Sequence, residues 1–346
     1  MSQPKFPWIR TAAIGTAAVT APLAAGIAYS AVAVDHAVPL APAIDATQRR
    51  LRSARAGEIN YYADEHTVGR PLVLVHSINA AASAYEMRPL FERFRSQRPV
   101  YALDLPGFGF SERPDRVYSP TLYTSALLDL LQEIQERGAA ADVIALSLGS
   151  EFAARAALQR PELVHSLALI SPTGLTARAQ MNRSERVGAS EAGTRLYGIF
   201  RFPLWSQAFY DLLASRPSIR YFLKMSFVAE PDRGLLDYAY ATAHQPGARF
   251  APLAFISGQL FSVDIREAVY ERLTIPVLAI YDRDAFVRFD TLPDVLERNP
   301  NWRTTRLIPS KGLPQFERLD ETAAALVSFW QEIGAGRVSV APPRAQ

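Results

Sequence analysis

The amino-acid sequence predicts an α/β protein, with a mostly parallel central sheet flanked by helices and an inserted helical lid. Three observations support this fold class. From residue 58 onward, short apolar runs alternate with amphipathic stretches, as they do in consecutive βαβ units. Of the 346 residues, 49% are apolar and 21% are charged, which excludes wholesale disorder. One long internal stretch breaks the alternation and is crowded with aromatic residues.

Five continuous apolar runs predict strands that are covered on both faces, because they lack the polar alternation of a half-exposed strand. They comprise residues 71–75, 100–103, 143–146, 167–170 and 276–280. Apolar positions at helical spacing predict three helices, over residues 121–137, 151–160 and 321–333. Pro161 ends the second of these helices.

The interruption of the strand–helix alternation divides the chain into a core and an insertion. We assign residues 58–172 and 273–333 to the α/β core and residues 173–272 to the helical lid between them. Residues 334–346 are predicted to form a flexible tail. The lid is expected over the carboxyl edge of the sheet, where open α/β sheets bind ligands. Most of its aromatic rings are expected to pack, and a few to line an apolar cleft.

The N-terminal segment, residues 1–34, has the pattern of a membrane anchor or an export signal. Lys5 and Arg10 precede an uncharged stretch over residues 11–34, and a helix of 24 residues could cross a hydrocarbon core. Residues 31–33 read Ala-Val-Ala, which is typical of a signal cleavage site. A single-pass anchor, export after cleavage, and a buried or interfacial helix all remain open. The first two would place the folded part beside or across a membrane.

Residues 35–57 are predicted to be a Pro/Ala and Arg-rich linker. Its second half has no acidic residue between positions 46 and 57 but carries four arginines: Arg49, Arg50, Arg52 and Arg55. Such a cluster could hold the domain against anionic lipid headgroups. It could equally be an ordinary solvated helix face.

Several classes of function are excluded or disfavoured by composition. A net charge of +3 gives no support to a nucleic-acid partner, and the absence of cysteine excludes disulfides and thiolate catalysis. The five histidines are scattered along the chain, so no metal site is expected. Gly107 and Gly109 follow a predicted strand but lack the third glycine of a dinucleotide-binding turn. We therefore expect no cofactor.

The most informative motif is a serine at a predicted strand-to-helix junction. Ser147 follows the apolar run 143–146, stands between Leu146 and Leu148, and precedes Gly149 and the predicted helix 151–160. A serine on such a sharp turn projects its hydroxyl above the sheet. The helix that follows adds a favourable field for developing negative charge. Ala145 stands where the strict G-x-S-x-G pattern has its first glycine.

Together with two other segments, this turn resembles the α/β-hydrolase superfamily. Residues 75–79, with His76, end one predicted strand, and Asp104 to Ser111, with the glycines between them, follow another. The resemblance spans roughly residues 58–333. It implies a serine nucleophile at Ser147 and an oxyanion hole formed by the backbone N–H groups of Ile78 and Leu148, while His76, Asp104 and Ser111 would be mostly structural.

The resemblance also implies an acid and a histidine, and only the acid is present. Asp284 in residues 279–287 matches the position of the acid, whereas Asp282 is expected to be a turn residue or a partner for Arg283. The segment 307–317 matches the histidine loop, but Gly312 stands in the place of the histidine. No histidine occurs after residue 244.

His244 is the one plausible substitute base. Leu236, Tyr240 and His244 recur at i, i+4 and i+8 and therefore share one face of a predicted lid helix. If that face borders the cleft, the imidazole could reach Ser147. A hydrogen-bonded packing histidine is the alternative.

Two functions remain open on the sequence. The first is a membrane-associated serine hydrolase that cleaves carboxylic esters or thioesters of an apolar or acyl substrate with Ser147, Asp284 and an unorthodox base. The second is a non-catalytic protein of the same fold that binds an apolar ligand or a membrane partner. The missing histidine favours the second function, because serine is a poor nucleophile without a base.

Overall fold

A computed structural model of the protein describes residues 24–181, 186 and 190–338. Its centre is a sheet of eight strands in the order β1-β2-β4-β3-β5-β6-β7-β8. Strand β2 pairs antiparallel with β1 and β4, and all the other pairs are parallel. The predicted mostly parallel sheet is therefore confirmed. The strands are β1 (Thr47–Ser53), β2 (Gly57–Asp64), β3 (Leu72–Val75), β4 (Val100–Leu103), β5 (Ala141–Leu146), β6 (Val164–Ile170), β7 (Val277–Tyr281) and β8 (Trp302–Arg306).

Helices cover both faces of the sheet, as the apolar runs predict. In β3, Val73 and Val75 belong to one hydrophobic cluster, and Leu72 and Leu74 to another. The alternating side chains of one strand thus supply two cores, which explains why the run has no polar position. The core helices are α2 (Arg88–Phe94), α3 (Pro120–Glu136), α4 (Gly149–Gln159), α11 (Leu292–Arg298), α12 (Pro314–Glu317) and α13 (Leu319–Gly334).

The N-terminal edge of the sheet corrects the predicted linker over residues 35–57. Strand β1 lies within that range and pairs along its whole length with β2. The arginines are therefore strand residues rather than a helix face: Arg49 lies 2.5 Å from Glu65, and Arg50 lies 3.0 Å from Glu58. An edge strand with mostly exposed side chains has no apolar run, so the sequence pattern does not reveal it.

Between β6 and β7, the described residues form helices and loops and contain no strand. We call this region the cap. Its helices are α5 (Glu191–Phe200), α6 (Ser206–Leu213), α7 (Arg216–Met225), α8 (Arg233–Ala243), α9 (Phe250–Ile256) and α10 (Ile265–Ala268). Two internal stretches, 182–185 and 187–189, fall outside the residues that the structure describes.

The first described residues, 24–33, form helix α1, which contacts the cap. The Ser30 hydroxyl donates to the Asp211 carboxylate on α6 at 2.5 Å, and His36 Nε2 lies 2.9 Å from the same oxygen. Residues 1–23, which hold most of the predicted anchor or signal segment, lie outside the described residues, as does most of the predicted tail. Within the described part of the chain, no helix has the length and apolarity needed to cross a membrane.

Candidate active site

Ser147 occupies a strained turn between β5 and α4. Strand β5 ends at Leu146, helix α4 begins at Gly149, and Ser147 has a φ of 51°. Such a conformation costs a non-glycine residue about 1–3 kcal/mol. The Ser147 N–H donates to the Ile170 carbonyl at 2.8 Å, which fixes the turn against β6. The side chain is partly exposed, and among the described residues its hydroxyl makes no hydrogen bond.

The turn is pressed against the loop that follows β3. A Cβ atom at Gly149 would overlap the carbonyl oxygen of His76, so only glycine permits this close approach. The approach brings the first residues of α4 against the loop that carries Ile78. Among the described residues, no acceptor is found for the backbone N–H of Ile78 or of Leu148, the residue that caps α4. Two free N–H groups beside a serine are the elements of an oxyanion hole.

A buried carboxylate that belongs to no sequence motif holds this loop in place. Glu86 accepts the Ser77 N–H at 2.9 Å with one oxygen and the Asn79 side-chain amide at 2.7 Å with the other. Burial raises its pKa, against the hydrogen bonds that lower it. The Gln315 amide of α12 donates to the Glu86 carbonyl at 3.1 Å. Because these contacts come from distant segments, no local sequence signal marks Glu86.

His76 and the Asp104 turn have structural roles in this loop region. His76 Nε2 accepts the Leu105 N–H at 2.9 Å, and its Nδ1 contacts the Ser77 carbonyl at 2.5 Å. Complete burial lowers the pKa of His76 to about 4, so the ring is neutral. The Asp104 carboxylate accepts backbone N–H groups of Ala84 and Phe110 at 3.0 Å each. These residues hold the loops that surround Ser147.

Asp284 follows β7, at the same edge of the sheet as Ser147. Its Oδ1 accepts the backbone N–H groups of Phe286 at 2.7 Å and Val287 at 3.2 Å. Among the described residues, Oδ2 has no hydrogen-bond donor and the carboxylate has no ion-pair partner. Burial raises the pKa of Asp284 to about 6, although the two N–H donors oppose this shift.

The neighbouring carboxylate, Asp282, has a structural role. It pairs with Arg306 at 2.9 Å and accepts the Ser310 N–H at 3.1 Å. The expectation of an Asp282–Arg283 pair is therefore wrong, because Asp282 pairs with Arg306 at the end of β8. The contact with Ser310 fixes the loop that leads to Gly312.

Gly312 lies against Asp284. A Cβ atom built on Gly312 would lie 2.8 Å from Asp284 Oδ2 and 3.6 Å from Ser226 Cβ. The residue in the place of the family's histidine therefore faces the acid, as the resemblance implies, but it has no side chain to present. Ser226, at the end of α7, closes the other side of this corner and has no signal in the sequence. We call Asp284, Gly312 and Ser226 the acid corner.

His244 lies at the end of α8, beneath the N-terminal segment. Its Nδ1 is 2.7 Å from the Tyr240 carbonyl, and its ring lies 4.0 Å from the Tyr240 ring, centroid to centroid. The His244 carbonyl accepts the Val38 N–H at 3.3 Å. Burial is the main cause that lowers the pKa of His244. None of its contacts in the described residues involves Ser147 or Asp284.

The remaining histidines and acidic residues form no metal site in the described part of the chain. His36 contacts Asp211, and His165 contacts Asp142 at 2.8 Å. A surface cleft of about 470 Å³ lies between the cap and the segment around Gly312. Its lining comprises residues 227–230, 232, 309 and 316–318, which flank the acid corner in the chain.

Comparison with known proteins identifies the family to which this fold belongs. The sequence model of the Alpha/beta hydrolase family matches residues 72–325, which is most of the chain. This chain belongs to the Alpha/beta hydrolase family. Solved members with the same fold include the enol-lactonase from Burkholderia xenovorans LB400, which is 18% identical with a TM-score of 0.63 over 82% of this chain and 100% of that chain. A bacterial membrane phospholipase A is 19% identical, with a TM-score of 0.64 over 94% of this chain and 97% of that chain. At these identities the likeness shows the fold alone, and the predicted fold is confirmed.

Curated relatives within the Alpha/beta hydrolase family match over a shorter stretch. An esterase of Mycobacterium tuberculosis is 35% identical over 123 residues, which is 34% of this chain and 39% of that protein. An uncharacterized hydrolase of Bacillus subtilis is 31% identical over 121 residues, or 34% of this chain and 43% of that protein. The matched stretch thus spans about two fifths of each relative, and these relatives are hydrolases by name.

Proposed function

We propose that this member of the Alpha/beta hydrolase family is a serine hydrolase that acts on carboxylic esters or thioesters with an apolar or acyl group. Ser147 is the nucleophile, the N–H groups of Ile78 and Leu148 stabilise the oxyanion, and Asp284 is the acid. The esterase named among the relatives supports this class of reaction. The imidazole that would link Asp284 to Ser147 is absent at Gly312.

The observation that carries the proposal is the turn at Ser147. Its φ of 51° holds the side chain in an unfavourable backbone conformation, and a purely structural serine gains nothing from that strain. The hydroxyl has no partner in the described structure, and Leu148 follows it at the start of α4 with a free N–H. A nucleophile and an oxyanion site are the two groups that acyl transfer needs at one place.

Exposed aromatic rings near the acid corner support an apolar substrate. Phe286 follows Asp284 in the chain and is 44% exposed, and its ring centroid lies 6.3 Å from that of Phe222 on the cap. Tyr221 packs edge-on against Phe222 and is 63% exposed. Exposed apolar clusters of this kind on a soluble fold commonly mark binding surfaces.

Association with a membrane is the second part of the proposal. Helix α1, which lies within the uncharged stretch 11–34, contacts the cap through Ser30 and Asp211. Exposed apolar side chains lie on α1, on three cap helices and on the loop between two of them: Tyr29, Val32, Ile199, Phe202, Leu204, Leu212, Tyr221 and Phe222. An apolar N-terminal segment, hydrogen-bonded to a cap that exposes apolar side chains, favours action at a membrane surface.

The proposal is tested with a fluorophosphonate probe and short p-nitrophenyl esters. We expect the full chain to be labelled at Ser147 and to release p-nitrophenol faster than its Ser147→Ala variant. Sedimentation with vesicles, compared between the full chain and a variant with charged residues at Tyr29 and Val32, tests the membrane part. Folded protein that is neither labelled nor active would remove the catalytic proposal.

A non-catalytic, ligand-binding protein is the second candidate, and one observation favours it. Gly312 leaves Asp284 without its histidine, and loss of one triad member typically leaves only about 10³–10⁴-fold catalysis over water. In that case Ser147→Ala would leave ligand binding and the cellular role unchanged. Loss of function in a folded Ser147→Ala variant would exclude this candidate.

A further inference from the structure

We propose that the acid corner is a binding site for a basic nitrogen of the imidazole type, which is largely unprotonated at neutral pH and which the protein does not itself supply. Bound beside Asp284, this nitrogen acts as the general base for Ser147. The inference rests on the proposed serine hydrolase function and specifies its substrate class: acyl esters that carry such a nitrogen, or esters cleaved together with a small nitrogen base.

The first argument is the unmatched carboxylate oxygen of Asp284. Oδ1 is fully occupied by two backbone N–H groups, whereas Oδ2 faces Gly312 and has no donor in the described structure. A partly buried anionic oxygen without a partner is unfavourable. Binding of a hydrogen-bond donor to it therefore lowers the free energy. With the pKa at about 6, the carboxylate is mostly ionised at neutral pH and attracts an N–H group.

The second argument is the composition of the surroundings. No described lysine or arginine forms an ion pair with Asp284, so no internal cation competes for Oδ2. Gly312 contributes no side chain, and Ser226 Cβ marks the opposite side of the corner. The exposed rings of Phe222 and Phe286 beside it suit a flat heterocycle such as imidazole.

The chemistry needs no other reactant. The basic nitrogen takes the proton of the Ser147 hydroxyl while Oγ forms a bond to the ester carbonyl carbon, and the carbonyl electron pair moves to the oxyanion. The protonated nitrogen then donates its proton to the leaving alkoxide as the C–O bond breaks. Water, deprotonated by the same nitrogen, hydrolyses the acyl enzyme and regenerates Ser147.

The experiment measures cleavage of p-nitrophenyl butyrate by the full chain with increasing imidazole. The rate of the Ser147→Ala variant at the same imidazole concentration is subtracted as background. We expect the remaining rate to rise with imidazole and to saturate at about 10²-fold above the imidazole-free rate. Asp284→Asn, checked for folding by thermal melting, should lose the saturation. Gly312→Leu, which fills the corner and retains the Asp284 carboxylate with only a small displacement, should lose the saturation as well.

A second arm distinguishes the two sources of nitrogen. A p-nitrophenyl ester of imidazolyl-propanoic acid, compared with its phenyl counterpart, should react faster without added imidazole if the substrate carries the base. Saturation with free imidazole and no preference between these esters indicates a separate small molecule.

Two outcomes separate this inference from the function on which it rests. Protein that is labelled at Ser147 but shows no saturable response to imidazole, and no preference between the two esters, overturns the nitrogen site and leaves the hydrolase proposal intact. Protein that is neither labelled nor accelerated removes both. Loss of the imidazole response in His244→Ala would also overturn the inference, because His244 would then take part in proton transfer.

Discussion

Replacing Gly312 with histidine should create the missing link between Asp284 and Ser147. The structure sets the cost: the new Cβ would lie 2.8 Å from Asp284 Oδ2, so the carboxylate must retreat by about 0.6 Å to reach ordinary contact distance. Rotation about the Cβ–Cγ bond can provide this movement at a cost of about 1 kcal/mol. A charge-assisted N–H···O hydrogen bond to the same oxygen returns about 1.5–3 kcal/mol.

The expected gain follows from general-base catalysis. A positioned base contributes about 10²–10⁴-fold, or about 3–5 kcal/mol of transition-state stabilisation. We expect Gly312→His to raise kcat/KM for p-nitrophenyl butyrate by at least about 10²-fold. Because Asp284 stabilises the protonated imidazole, the new activity should fall as pH drops below about 7, where the base becomes protonated.

The matched control is Gly312→Ala, which adds the Cβ atom without a base. We expect no gain from it, and thermal melting checks that both variants fold. If folded Gly312→His gains no activity and reacts no faster with a fluorophosphonate than the parent, then the segment of Gly312 does not face Ser147 and the reasoning from the acid corner is refuted.

Three further predictions concern the framework around Ser147. Gly149→Ala should lower the free energy of unfolding in urea by about 1–3 kcal/mol, because the added Cβ overlaps the His76 carbonyl; an unchanged midpoint would contradict this packing. Glu86→Gln should lower kcat by about 10-fold or more with little change in KM, since the Ser77 loop loses its carboxylate; equal changes in both constants would point to a general loss of structure. The folded-state pKa of Glu151 is raised to about 7 by burial, so its contribution to stability is full below about pH 4.5 and is lost as pH rises through about 7. Glu151→Gln should therefore be more stable than the parent at pH 8, by up to about 3 kcal/mol, and not at pH 5, and an identical pH dependence of the two melting temperatures would exclude this titration.

The sequence was most informative where structure depends on local pattern. The apolar runs give the buried strands within a few residues, because a strand covered on both faces tolerates no polar position. The turn at Ser147 can be recognised in the sequence because its chemistry needs adjacent residues on one turn. The acid corner could be anticipated only through the family resemblance, since Asp284 and Gly312 are separated by β8.

Other features depend on contacts between distant segments and leave no local trace. Strand β1 lies inside the predicted linker because most of its side chains are exposed and it has no apolar run. Its strand structure depends on pairing with β2, which is not visible in the local sequence. The role of Glu86 can be recognised only from the residues that contact it in the folded protein. His244 has helical spacing that fits a cleft-facing residue, but the chain before residue 47 passes over its position and gives it backbone neighbours instead.

The contacts of Ser30 and His36 with Asp211 link the N-terminal segment to the cap. This carboxylate is only 8% exposed, and besides the contacts to Ser30 and His36 it accepts the Gln207 amide at 2.7 Å. Proteolysis after residue 33 would remove the Ser30 hydroxyl and leave the His36 imidazole in contact with Asp211. The segment that the sequence predicts to be an anchor or an export signal thus supplies a hydrogen bond to the cap, and its removal would leave the buried Asp211 carboxylate with one donor fewer.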